Sequence, residues 1–173
     1  MKQEERKISK GYDNELRMEF DAISCNESFA RMAVSAFIAP LNPTMEEMAD
    51  VKTAVSEAVT NAIIHGYGNV QGYIPGRMQC PREISSGKVR IYCRIEGDVL
   101  LVEIEDEGKG IDNVEQALEP LFTTKPEYER SGMGFAFMEA FMDDLQVLSA
   151  SGMGCKVIME KKLGSIPWLE EIE

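Results

Sequence analysis

At 173 residues the chain has room for one domain with a single core, and 44% hydrophobic and 28% charged residues are ordinary for a soluble globular protein. A net charge of -12 argues against nucleic-acid binding, which needs a basic face, and no apolar run approaches membrane-spanning length. Cys25, Cys80, Cys93 and Cys155 form no C-x-x-C pair and His65 is the single histidine, so a zinc site is excluded and reduced thiols in a cytoplasmic protein are expected.

Residues 1–13 are polar and heavily charged, which predicts a disordered extension and no signal peptide. Glu15 to Phe20 alternates as a strand with Leu16, Met18 and Phe20 inward. Ser24 with Glu27 reads as a capping box, so a helix is predicted from Cys25 to Pro40, with Phe29, Met32, Ala33, Ala36 and Phe37 as its core stripe. On its other side Arg31 stands four residues after Glu27, the spacing of a surface ion pair that contributes about 0.3–0.5 kcal/mol.

Thr44 with Glu47 is a second capping box. It opens a long helix, Met45 to His65, with Met48, Val51, Val55, Ala58, Val59 and Ala62 as the buried stripe. Glu57 and Asn61 stand one turn apart on the face away from that stripe, with Cβ atoms roughly 5–6 Å apart. Spacing alone leaves open whether they act together or are merely solvated. His65 fits a helix-end residue near the C-terminal dipole.

Gly66 to Gly87 is rich in Gly, Pro and polar residues and reads as a long loop. Lys88 to Ile95 and Val99 to Glu105 are predicted strands, joined by Glu96-Gly97-Asp98 as a tight hairpin. The second strand runs into Asp106-x-Gly108-x-Gly110. A carboxylate at a strand end, followed by two glycines, lets backbone approach a ligand while the side chain accepts hydrogen bonds, as an amino-bearing ring such as adenine requires. An ordinary acidic turn has the same pattern.

A short helix is predicted from Asn113 to Leu118, followed by a mobile loop with Pro120 and Pro126. Ser131-Gly132-Met133-Gly134 then opens a helix with Met133, Phe137, Ala140 and Phe141 as its stripe. Two glycines in a first turn cost helix stability, and a close approach to a phosphate at the helix N-terminus would explain them. Gln146 to Ser149 and Cys155 to Glu160 form a last hairpin, and residues 163–173 form a tail. A G-x-x-x-x-G-K-[ST] loop and the protein-kinase H-R-D loop are both lacking.

The order of a helix with Glu57 and Asn61, Asp106-x-Gly108-x-Gly110, a loop and Gly132-Met133-Gly134 resembles the ATPase/kinase superfamily of gyrase, heat-shock protein 90, histidine kinases and mismatch-repair ATPases. Four longer stretches narrow the resemblance. Ser24-x-Asn26-Glu27-Ser28-Phe29-Ala30-Arg31, Ser56-Glu57-Ala58-Val59-Thr60-Asn61-Ala62-Ile63-Ile64-His65-Gly66-Tyr67, Pro120-Leu121-Phe122-Thr123-Thr124-Lys125-Pro126 and Arg130-Ser131-Gly132-Met133-Gly134-Phe135 are similar to the anti-sigma F family of spore-forming bacteria. The resemblance covers roughly Asn14 to Lys161.

It implies an α+β fold, a two-layer sandwich with helices on one face of a mixed, mostly antiparallel sheet, as one ATP-binding domain over residues 14–162. It implies a cytoplasmic homodimer that binds and inhibits a sigma factor of the sigma F type. As a serine kinase, such a protein uses ATP and Mg²⁺ to phosphorylate an anti-anti-sigma factor. By motif position Glu57 would be the general base, Asn61 would hold magnesium, Asp106 would accept from the adenine amino group, and Gly108 and Gly110 would let the base lie against backbone. Thr123, Thr124, Lys125 and Arg130 would belong to a lid over the phosphates, and Ser131, Gly132, Met133, Gly134 and Phe135 would supply backbone donors to ATP or ADP. Arg31 would contact both protein partners.

Three departures stand out. Gly154-Cys155 replaces the family's Gly-Thr, and a thiol is a weaker donor and acceptor, so a lower ATP affinity is expected. The loop from Gly68 to Gly87 and the N-terminal extension are both additional length. A second reading is a nucleotide-gated binding module without transfer chemistry. A histidine kinase would need a separate phospho-acceptor helix pair, for which the chain has no place.

Overall fold

The computed structural model describes residues 13–68, 87–119 and 133–164. The predicted N-terminal extension before residue 13, most of the Gly66 to Gly87 loop, the predicted lid and the tail beyond residue 164 lie outside the described residues.

Five strands form one sheet in the order β1-β2-β3-β5-β4: β1 Asn14–Asp21, β2 Lys88–Glu96, β3 Val99–Asp106, β4 Asp144–Ser149 and β5 Cys155–Lys162. Every pairing among the described strands is antiparallel, so the parallel component of the expected mixed sheet does not occur among them. Period-two alternation drives the layering. Val89, Ile91, Cys93 and Ile95 of β2, and Leu100, Val102 and Ile104 of β3, are buried, whereas Lys88, Arg94 and Glu96 are exposed. The two-residue Gly97–Asp98 turn joins β2 to β3, and Gly97 takes the positive φ (66°) that such a turn favours.

Three helices supply the other layer: α1 Cys25–Ile38, α2 Met45–Asn61 and α4 Gly134–Phe141, with the single turn α3 Val114–Ala117 at the end of the sheet. α2 packs between α1 and α4, and its Val51, Ala54, Val55, Ala58 and Val59 are buried in the shared core. The Thr44–Glu47 capping box forms in both directions, at 3.1 Å and 2.7 Å. Lys161 ties the layers together: its ammonium lies 3.1 Å from Asp50 of α2 and 2.6 Å from the carbonyl of Phe141 at the end of α4. Leu163, placed in the tail by sequence, is 1% exposed and belongs to the core.

Three expectations are corrected. Ser24 has helical dihedrals (φ -57°, ψ -32°), so its hydroxyl caps nothing, and the Glu27 carboxylate accepts from Ser56 instead. The buried face of α1 is Ala30, Val34 and Ile38, four residues apart on one stripe, while Phe29 and Met32 lie off it and are 58% exposed. In α4 the buried side chain is Met138, and Phe137 and Phe141 stack on each other with centroids 5.8 Å apart. Cys93 and Cys155 are free thiols.

Candidate functional site

Asp106 ends β3, the middle strand of the sheet, and its alternating side chain points to the helical layer. It is 5% exposed, the sole charged residue in the interior among the described residues. Burial raises its pKa above the ordinary 3.8, opposed by backbone N–H groups of Gly108 and Cys155 that favour the carboxylate. The Gly108 bond to Oδ1 is 2.8 Å. A buried acceptor that lines a cavity is matched to an amino group.

The helix side of the site departs from regular geometry. α2 stops at Asn61, and residues Ala62–Gly66 continue as a π-helical turn, where a longer α-helix was predicted. π turns recur at functional sites. This one carries His65 and Gly66 to the cavity, with the Gly66 carbonyl accepting from Lys109 N–H at 2.9 Å. Gly108 must be glycine here: a Cβ would lie 2.3 Å from the Gly66 oxygen.

Glu57 and Asn61 face the first residue of α4. A Cβ built on Gly134 would lie 3.1 Å from Glu57 Oε2 and 3.2 Å from Asn61 Nδ2. Both polar side chains therefore meet the helix N-terminus that Met133 caps, where backbone N–H groups have no partner within the helix.

Between these parts lies a cavity of about 330 Å³. Ala58, Ala62, Ile104, Ile111 and Val157 give it an apolar wall, and Asn61, Asp106, Lys109, Asn113 and Gln116 give it polar groups. That size and mixture suit a small organic ligand with a flat apolar body and a few polar contacts. Gly110, Gly134, Phe135 and Cys155 also line it. Burial and then the charge of Asp106 push the Cys155 thiol up to about 12, so it stays protonated.

Sequence reasoning did not single out Lys109, Asn113, Gln116 and Ser151, and it set His65 aside. Lys109 was legible in principle, since it stands inside Asp106-x-Gly108-x-Gly110. Asn113 was legible as the cap of α3, where its side chain accepts from Gln116 N–H at 3.0 Å. Thr123, Thr124, Lys125, Arg130, Ser131 and Gly132 lie outside the described residues. Arg31 does not line the cavity: its Nε is 3.5 Å from Glu27 Oε1 and is buried without a hydrogen bond, on a side chain 42% exposed. Among the described residues no three His, Cys, Asp or Glu are grouped to hold a metal ion, and no helix is long and apolar enough to cross a membrane.

The model of the histidine kinase-like ATPase domain family matches residues 26–161. An anti-sigma F factor of Clostridium novyi is 54% identical over 154 residues, covering 88% of this chain and 97% of its own length. One of Clostridium kluyveri is 50% identical over 155 residues, covering 90% and 99%. Among solved structures, the RsbU and RsbW domains of a Mycobacterium tuberculosis protein align with a TM-score of 0.57 at 18% identity, covering 87% of this chain and 32% of that one. The catalytic domain of the histidine kinase ThkA aligns with a TM-score of 0.51 at 15% identity, covering 86% and 96%. These two likenesses speak to the fold.

Proposed function

The chain belongs to the anti-sigma F factors of the histidine kinase-like ATPase family, and from that membership we propose that it couples sigma-factor inhibition to an ATP-dependent serine kinase activity. The sigma factor is held while nucleotide is bound, and the phosphoryl acceptor is a serine of an anti-anti-sigma factor. The same membership supports a homodimer working in the cytoplasm.

The observation that carries the kinase reading is the convergence of Glu57 and Asn61 on Gly134, within 3.1 Å and 3.2 Å of where its Cβ would be. Adenine enters the apolar wall with its amino group on Asp106. The N-terminus of α4, with Met133, Gly134 and Phe135, receives the phosphates on backbone N–H groups and positive dipole. Glu57 then stands beside the terminal phosphate and takes the proton of the incoming serine hydroxyl. Thr123, Thr124, Lys125, Arg130, Ser131 and Gly132 complete the phosphate end by their motif positions.

Magnesium fits this donor set only as an ion held jointly by protein and phosphates. The Asn61 amide oxygen would be the protein ligand, and phosphates and water would supply the other oxygens. When bound, it neutralises phosphate charge. Arg31, outside the cavity, serves the protein partners.

Incubation with labelled ATP, Mg²⁺ and the candidate anti-anti-sigma protein tests this reading, with label on serine as the expected result. Nucleotide-dependent sigma binding without any label would leave a gated binding module and overturn the kinase.

A further inference from the structure

We infer that Tyr67 and Ser149 are positioning residues, whose hydroxyls hold the turn from Glu107 to Ile111 in its nucleotide-binding shape from opposite ends. The inference rests on the reading of the cavity as a nucleotide site.

The turn has few bonds of its own. Gly108 N–H goes to Asp106 at 2.8 Å, and the rest of its anchoring comes from outside. Glu107 N–H donates to the Tyr67 hydroxyl at 2.8 Å, Lys109 N–H to the Gly66 carbonyl at 2.9 Å, and Ile111 N–H to the Ser149 hydroxyl at 2.9 Å. Each hydroxyl also passes a hydrogen bond to the frame. Tyr67 donates to the Lys88 carbonyl at the start of β2, at 2.6 Å. Ser149 donates to the Gly154 carbonyl before β5, also at 2.6 Å. A hydroxyl accepts and donates through one atom, so each is a joint between turn and sheet.

Neither side chain lines the cavity, so neither touches the ligand. What they control is where the turn lies. Gly110 has φ +71°, and a Cβ there would lie 1.9 Å from the Ala150 oxygen, so this stretch rests directly on the backbone after β4. Gly152 N–H donates to the Lys109 carbonyl at 2.6 Å and closes the contact. The β4–β5 turn is therefore the bed of the nucleotide turn, and Ser149 is its fastening.

The test uses Y67F, S149A and S149T in the full chain, with ADP and ATP affinity read by titration and transfer rate measured at saturating ATP. Y67F and S149A each remove both bonds of one hydroxyl and are each expected to weaken nucleotide binding about tenfold or more. The rate at saturating ATP stays unchanged, and S149T recovers the affinity. Far-UV circular dichroism and melting of the nucleotide-free variants check the fold. Wild-type affinity in both Y67F and S149A overturns the inference and leaves the nucleotide site standing. A loss in S149A that S149T does not recover also overturns it, because the hydroxyl is then not the cause. A wild-type chain that binds neither nucleotide overturns the reading of the cavity itself, and this inference with it.

Discussion

The Ser56 hydroxyl donates to Glu27 Oε1 at 2.5 Å, across 29 residues of sequence. The same oxygen lies 3.5 Å from Arg31 Nε. One carboxylate thus links the proposed partner-binding arginine on α1 to the residue preceding Glu57 on α2. The proposed protein-binding surface and the helix of the proposed nucleotide site share this bond.

Arg31→Ala separates two outcomes. If the side chain only pairs with Glu27, the cost is a few tenths of a kcal/mol in stability and no binding changes. As a shared anchor, Arg31→Ala weakens both the sigma factor and the anti-anti-sigma factor by about 2 kcal/mol or more. ATP affinity stays the same. Calorimetry with each partner decides, and wild-type affinity for both returns Arg31 to a surface ion pair.

Glu57→Gln keeps the shape of the side chain and removes its basicity. Serine transfer falls by about 10²–10⁴-fold, while ATP and sigma binding persist. Single-turnover rates near wild type would sink the general-base role.

Asp106→Asn puts an amide donor within reach of the adenine amino donor, so nucleotide binding is lost. Its effect on the free protein has a definite sign. The folded pKa of Asp106 is raised by burial, so its contribution to stability is fully present below the ordinary 3.8 and declines as pH rises through the raised value. Asn does not titrate. In urea melts of the nucleotide-free chain from acid to neutral pH, the variant gains on wild type as pH rises. A constant difference would refute the raised pKa.

Leu163→Ala removes a side chain that is 1% exposed, on a residue whose N–H donates to the Asp98 carbonyl at 2.8 Å. A loss of about 2–5 kcal/mol in denaturant unfolding is expected, as for large-to-small changes in a core. A loss under about 1 kcal/mol would mean that the site collapses freely, as a tail would.

What the sequence shows of this molecule depends on how far each cause reaches. Thr44 and Glu47 are three residues apart and form their capping box with each other, so the pattern predicts the structure. Ser24 and Glu27 have the same pattern, but Ser24 takes helical dihedrals and makes no cap bond, and the Glu27 carboxylate meets Ser56, distant in sequence. The strands were legible because burial alternates along one sheet face. The core face of α1 was not, because the large Phe29 and Met32 suggested the stripe and the buried one runs through Ala30, Val34 and Ile38. In the site, Glu57, Asn61, Asp106, Gly108 and Gly110 were legible as local motifs. The hydroxyl joints at Tyr67 and Ser149 were not, since each bridges strands that only the fold brings together.

The π-helical turn at Ala62–Gly66 also bears on chain length. A π turn holds one residue more than an α-helical turn. Its five residues therefore cover roughly the rotation that four cover in an α-helix. Deleting one residue there would let the helix run on regularly, its circular dichroism would barely register the change, and the chain beyond would keep nearly its direction. The Gly66 carbonyl would still face Lys109, and Tyr67 would still face Glu107. What would go is the widened turn that brings His65 to the cavity, so a family member can be one residue shorter here and still anchor the same turn after β3.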